Sequence, residues 1–125
     1  MNYGFFRTAC ASPELAVADC RTNAEHIVDS VREARANGAS LVVFPELSVT
    51  GYTCGDLFLQ RTLQDAAVQA LGFIAHKTEA HHILIECGFP LALGDALYNC
   101  AAVIYRGDII AVIPKSFIPN YGEFY

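Results

Sequence analysis

Leu41–Phe44, "LVVF", is four apolar residues in a row set between two stretches of helical period, and this placement limits the chain more than any other feature. A short continuous apolar run reads as a strand buried on both faces, and such strands belong to α/β architectures in which helices alternate with strands. The flanking segments agree. Before the run, Asp19 can cap a helix reaching to about Asn37, with Ala24, Ile27, Val31 and Ala34 on one face and Gly38 as its stop. After it, Leu63, Ala67, Ala70, Leu71 and Ile74 keep helical spacing within a second helix over roughly Thr62 to Glu79.

The remaining strands follow from composition and turn chemistry. Tyr3 to Ala9 reads as a first strand, "HHILIECGFP" as a third that ends before Pro90, and "GDALYNCAAVIYRGDIIAVIP" as two more hinged on a three-residue loop, Arg106-Gly107-Asp108. The predicted order is β-α-β-α-β-β-β, an α/β sandwich with ligands near the carboxyl ends of its strands. No repeat, low-complexity tract or linker divides the 125 residues, so residues 1–125 read as one domain.

Composition narrows the function classes. A net charge of −5, with only eight scattered Lys and Arg, provides no stripe to neutralise phosphates, so no nucleic-acid partner is expected. No apolar run reaches the ~18 residues of a membrane span and the N-terminus lacks a long apolar leader segment, so the expectation is a cytoplasmic chain without a membrane partner. Hydrophobic residues are 54% of the total, more than a small domain can hide. That surplus predicts a covering partner, either further chain or further subunits of a homo-oligomer.

Five cysteines, at positions 10, 20, 54, 87 and 100, form no C-x-x-C pair or zinc pattern and are expected as free thiols. Cys10, Cys87 and Cys100 lie in apolar segments, where a thiol packs as a small hydrophobe. His76, His81 and His82 gather at a helix end, where they complement the dipole, and no metal site is assigned. The tripeptide Arg106-Gly107-Asp108 is explained by turn chemistry.

Chemistry points to two segments of one design. In "VVFPE" and "AVIPK" an apolar strand and a proline deliver a single charge, Glu46 in one and Lys115 in the other. Each proline removes a backbone donor and fixes the local turn, which anchors the following side chain. Tyr52 follows Glu46 by six residues, Tyr121 follows Lys115 by six, and a further acid, Glu123, comes shortly after. Taken singly, each charge could be a solvated surface residue and each tyrosine a half-buried packing residue.

Together, "FPELSVTGY" and "IPKSFIPNYGEFY" resemble the glutamate and lysine motifs of the nitrilase-like carbon-nitrogen hydrolases. "GYTCGDLFLQ" with "PNYGEFY" resembles, more narrowly, the glutaminase domain of glutamine-dependent NAD synthetases. The resemblance implies part of a nitrilase-like α-β-β-α sandwich, incomplete at its C-terminus, whose substrate is glutamine and whose ammonia goes to a synthetase domain absent from this chain, where ATP and Mg would act. It implies catalytic roles for Glu46 as general base, Lys115 as oxyanion partner and Glu123 as an orienting acid, with Tyr52 and Tyr121 in the substrate pocket and no cofactor in this chain. The chemistry is consistent: a thiol titrates near ~8.5, and an adjacent base or positive field makes it nucleophilic. The family's nucleophile, a cysteine well after the lysine motif, matches none of the five here. It is therefore expected beyond Tyr125, and residues 1–125 alone are expected to be inactive. A stand-alone amidase, nitrilase or carbamoylase and a non-catalytic interaction fragment remain the alternatives.

Overall fold

A computed structural model describes residues 4–116. Its elements run β1 (Thr8–Cys10), α1 (Cys20–Ala36), β2 (Leu41–Val43), a short 3-10 helix (Gly55–Leu59), α2 (Arg61–Lys77), β3 (Leu84–Leu93), β4 (Ala96–Tyr105) and β5 (Asp108–Pro114). The expected alternation of strands and helices is thus present, and α2 differs from its predicted span by one residue at the start and two at the end.

The strands form one sheet in the order β1-β2-β3-β4-β5, with β1, β2 and β3 parallel and the last three a meander. Because successive parallel strands are added in one direction, two right-handed crossovers place α1 and α2 on the same face. There they pack together, and the Arg21 guanidinium stacks 4.0 Å from the centroid of the Phe73 ring on the neighbouring helix.

Caps fix α1 at both ends. The Asp19 carboxylate accepts from the Thr22 amide at 3.1 Å and from its hydroxyl at 2.8 Å, bonds that hold its pKa below the ordinary value. Past Asn37 the chain closes with Ala39 N–H on Ala34 O and Gly38 N–H on Arg35 O, both 3.0 Å, a Schellman pair. The predicted apolar faces are buried in both helices and meet Val42, Ile85, Cys87, Phe89, Cys100, Ala102 and Ile104. Each fully buried large side chain there contributes about 1.5–3 kcal/mol.

Five expectations are corrected. β1 is a three-residue strand over Thr8–Cys10, with Tyr3 outside the described residues. β2 is fully buried only at Val42, because both helices share one face and leave Leu41 and Val43 half-exposed on the other. Cys10 alternates onto that open face and is exposed, so it is no core residue.

β3 runs through Pro90 to Leu93. Pro90 lies opposite Asn99, whose carbonyl accepts from Lys115 N on the β5 side, so this is a non-hydrogen-bonded pair. The proline nitrogen therefore points away from β4, where no ladder bond is forfeited. Finally, the β4–β5 loop is Arg106-Gly107 alone, since Asp108 already pairs with Tyr105. Both loop residues have positive φ, 49° and 93°, as a twist-matched two-residue hairpin requires. A register shift at Val103/Ile104 leaves Ile110 without a partner in the ladder, a β-bulge.

Candidate active site

Beyond Phe44 the chain leaves β2 and coils through residues 45–50 against the core. Phe44 N–H donates to Glu86 O at 2.9 Å and Val49 N–H to Gly88 O at 3.0 Å, which ties the coil to β3 at both ends. Ser48 Oγ accepts from Gly88 N–H at 3.2 Å. Asn23 of α1, 2% exposed, clamps the coil from below: Nδ2 donates to Val49 O at 3.0 Å and to Ala16 O at 2.8 Å, while Oδ1 accepts from Ala16 N–H at 2.8 Å. Leu47 takes φ 54°, a left-handed conformation costing about 1–3 kcal/mol, and its fully buried side chain holds it there.

Gly88 permits this packing. A Cβ at that position would fall against the Leu47 backbone nitrogen and within 3.1 Å of the Glu46 carbonyl carbon. The bare glycine lets the turn lie directly on β3, and Glu46 is left standing at the sheet's open face.

Lys115 arrives from the other side, at the end of β5, with its N–H on Asn99 O at 2.8 Å. Its ammonium donates to Glu46 Oε1 at 2.9 Å, so the two charges converge as their matched segments predict. The side chains are 36% and 37% exposed, and an ion pair so wetted adds little to stability. Its significance is chemical. They share a cleft of about 340 Å³ with Phe44, Glu86, Gly88, Asn99, Ala101 and Ile113. A larger cleft of about 580 Å³ runs beside β1 and α1, and no acid and base make contact in its lining.

Two cleft residues escaped the sequence reading. Asn99 donates its side-chain amide to the same Glu46 Oε1. Its signal was a lone amide within the otherwise apolar "YNCAAVIY" strand. Glu86 points from mid-strand onto the open face, where burial pushes its carboxyl above the usual value. An acid amid "LIECGF" was the corresponding clue.

Of the other assigned residues, Tyr52 is 40% exposed and is not among those lining the cleft, whereas Tyr121 and Glu123 lie outside the described residues. The buried thiols are poor nucleophiles. Desolvation pushes Cys87 up to about 12 and Cys20 up to about 11, and raises Cys54 and Cys100 as well. Cys100 borders the cleft but is itself 3% exposed, within the core. Among the described residues no group of three or more His, Cys, Asp and Glu could hold a metal ion, and no helix is long and apolar enough to cross a membrane.

Comparison with known proteins gives a consistent set. Residues 7–119 match the carbon-nitrogen hydrolase family. The chain is 38% identical over 124 residues to a glutamine-dependent NAD(+) synthetase of Mycobacterium bovis, covering 99% of this chain and 18% of that protein. It thus spans less than a fifth of that relative's length. Among solved structures, a glutamine-dependent NAD(+) synthetase from Cytophaga hutchinsonii superposes with a TM-score of 0.86 at 28% identity, over 94% of this chain and 20% of the other. A mutant amidase from Nesterenkonia sp. AN1, with the acetamide moiety of fluoroacetamide added covalently at its active site cysteine, gives 0.75 at 25%, over 94% and 44%.

Proposed function

The chain belongs to the carbon-nitrogen hydrolase family, and on that premise we propose that it is the N-terminal part of a glutaminase domain that releases ammonia from glutamine for ATP-dependent amidation of deamido-NAD. The observation that carries this reading is the 2.9 Å contact between Glu46 and Lys115 at the mouth of one cleft. A carboxylate and an ammonium in contact support a pairing of general base with oxyanion partner.

In the proposed cycle Glu46 takes the proton of a cysteine thiol as the sulfur attacks the carboxamide carbon. Lys115 stabilises the resulting oxyanion. Glu46 then passes the proton to the departing nitrogen, which leaves as ammonia, and deprotonates the water that cleaves the thioester. The thiol would be supplied by sequence following Tyr125, a reading supported by burial that raises the pKa of Cys20, Cys54, Cys87 and Cys100 and by the position of the exposed Cys10 in the other cleft. The covalent adduct at the active site cysteine of the Nesterenkonia amidase supports that choice of nucleophile.

Glu123 would orient these groups, and Tyr52 and Tyr121 would border the glutamine. ATP and Mg would serve the synthetase domain. The exposed Ile109, Ile110 and Ile113 of β5 support covering of this strand by further chain or further subunits.

The test is ammonia release from glutamine by the intact gene product. Glu46→Gln should cost about 10²–10⁴ in rate, and near-normal turnover by that variant would overturn the assignment. A simple amidase is the second reading, favoured by the superposition on the Nesterenkonia enzyme. Faster turnover of acetamide than of glutamine would select it.

A further inference from the structure

We infer that Asn99 is a positioning residue that fixes Glu46 against Lys115 and reserves the second carboxylate oxygen of Glu46 for proton transfer. The inference rests on the hydrolase reading above and concerns how its base is aimed. Asn99 engages both partners at once. Its carbonyl accepts from the Lys115 amide at 2.8 Å, and its side-chain amide donates to Glu46 Oε1, the oxygen that also takes the Lys115 ammonium at 2.9 Å.

The Glu46–Lys115 pair is more than a third exposed and Lys115 has a long, flexible stem, so their mutual attraction alone fixes little. Asn99 has a short side chain rooted in the middle of the sheet, which makes it the stiff member of the three. An amide is the fitting donor. It carries no charge to compete with Lys115, and it neither takes nor gives up a proton in the working pH range. With two donors on Oε1, and none from the described residues on Oε2, the basic lone pairs of Oε2 remain for the thiol and later the water.

A residue acting through Glu46 should lose its effect when Glu46 no longer serves as base. In the intact gene product, Asn99→Ala is expected to lower kcat about 10- to 100-fold with KM within about twofold, as loss of aim does. Added to Glu46→Gln, it should change the rate less than about twofold. Asn99→Asp keeps the shape, reverses the donor and brings a second negative charge to Oε1, so it should fall below Asn99→Ala. An equal loss from Asn99→Ala in both backgrounds, or an effect on KM alone, would overturn the proposal.

Crystal structures of two variants of the intact protein separate this idea from the glutaminase reading. The Glu46 carboxylate should hold its place in Lys115→Met and swing away in Asn99→Ala, whatever substrate the wild-type protein hydrolyses. A carboxylate unmoved in Asn99→Ala would sink the positioning role. Absence of ammonia release by wild type would instead sink the glutaminase reading.

Discussion

Glu46 and Lys115 meet at one oxygen, yet the chain supports them differently. The four residues after Glu46, from Leu47 to Thr50, are at most 3% exposed and are bonded to β3 and to Asn23. Before Lys115, Val112 and Ile113 are 42% and 56% exposed on an edge strand, and the local anchor is the backbone bond to Asn99. The contrast fits the two tasks proposed for them. Proton transfer needs hydrogen-bond distance, so a base must be held to within fractions of an ångström. A cation acts through a Coulomb energy that falls only as the inverse of distance, and it tolerates a softer mount.

The sharpest way to break the contrast is to disturb the rigid side. Gly88→Ala should drive the turn off β3, cutting activity about 10²-fold through misplacement of Glu46 and stability by about 1–3 kcal/mol through overpacking. Turnover of glutamine and urea unfolding read the two effects, and a silent substitution would show that the turn does not need its seat. Next in size, Asn23→Leu strands the Val49 carbonyl and the Ala16 amide, while Ala16 O keeps its bond from Asp19 N–H at 3.1 Å, and should cost about 1–3 kcal/mol in urea unfolding. An unchanged midpoint would remove Asn23 from the support of the turn. Smallest is Ile113→Thr on the soft side, expected within about 0.5 kcal/mol of wild type in residues 1–125. A loss of several times that size in the intact protein would show another layer packed on the open face.

What the sequence made legible divides along the range of the interactions. The limits of α1 were readable because Asp19 and Gly38 act on groups within a few residues of themselves. The buried faces of both helices were readable because period alone defines them. Glu46 and Lys115 were readable as twins because each follows its own strand and proline. Pro90 misled because its cost depends on which neighbour its missing donor would have faced, a fact about register with β4. β2 misled because a run of apolar residues does not say whether helices lie on one face or two. Asn23 and Asn99 were not singled out, since their partners stand 26 and 53 residues away.

The bulge at Ile110 has its own consequence for the end of the chain's described part. Across β4 and β5 the residue numbers of facing partners sum to one value near the loop and to a value one larger beyond Val103. Without the extra residue, Lys115 would face Tyr98 and turn its ammonium toward the helices, and the odd and even positions of the strand's second half would trade faces. The site therefore has a parity. One residue inserted or lost between the hairpin and Lys115, with every side chain in the cleft unaltered, would carry the cation through the sheet to the wrong side.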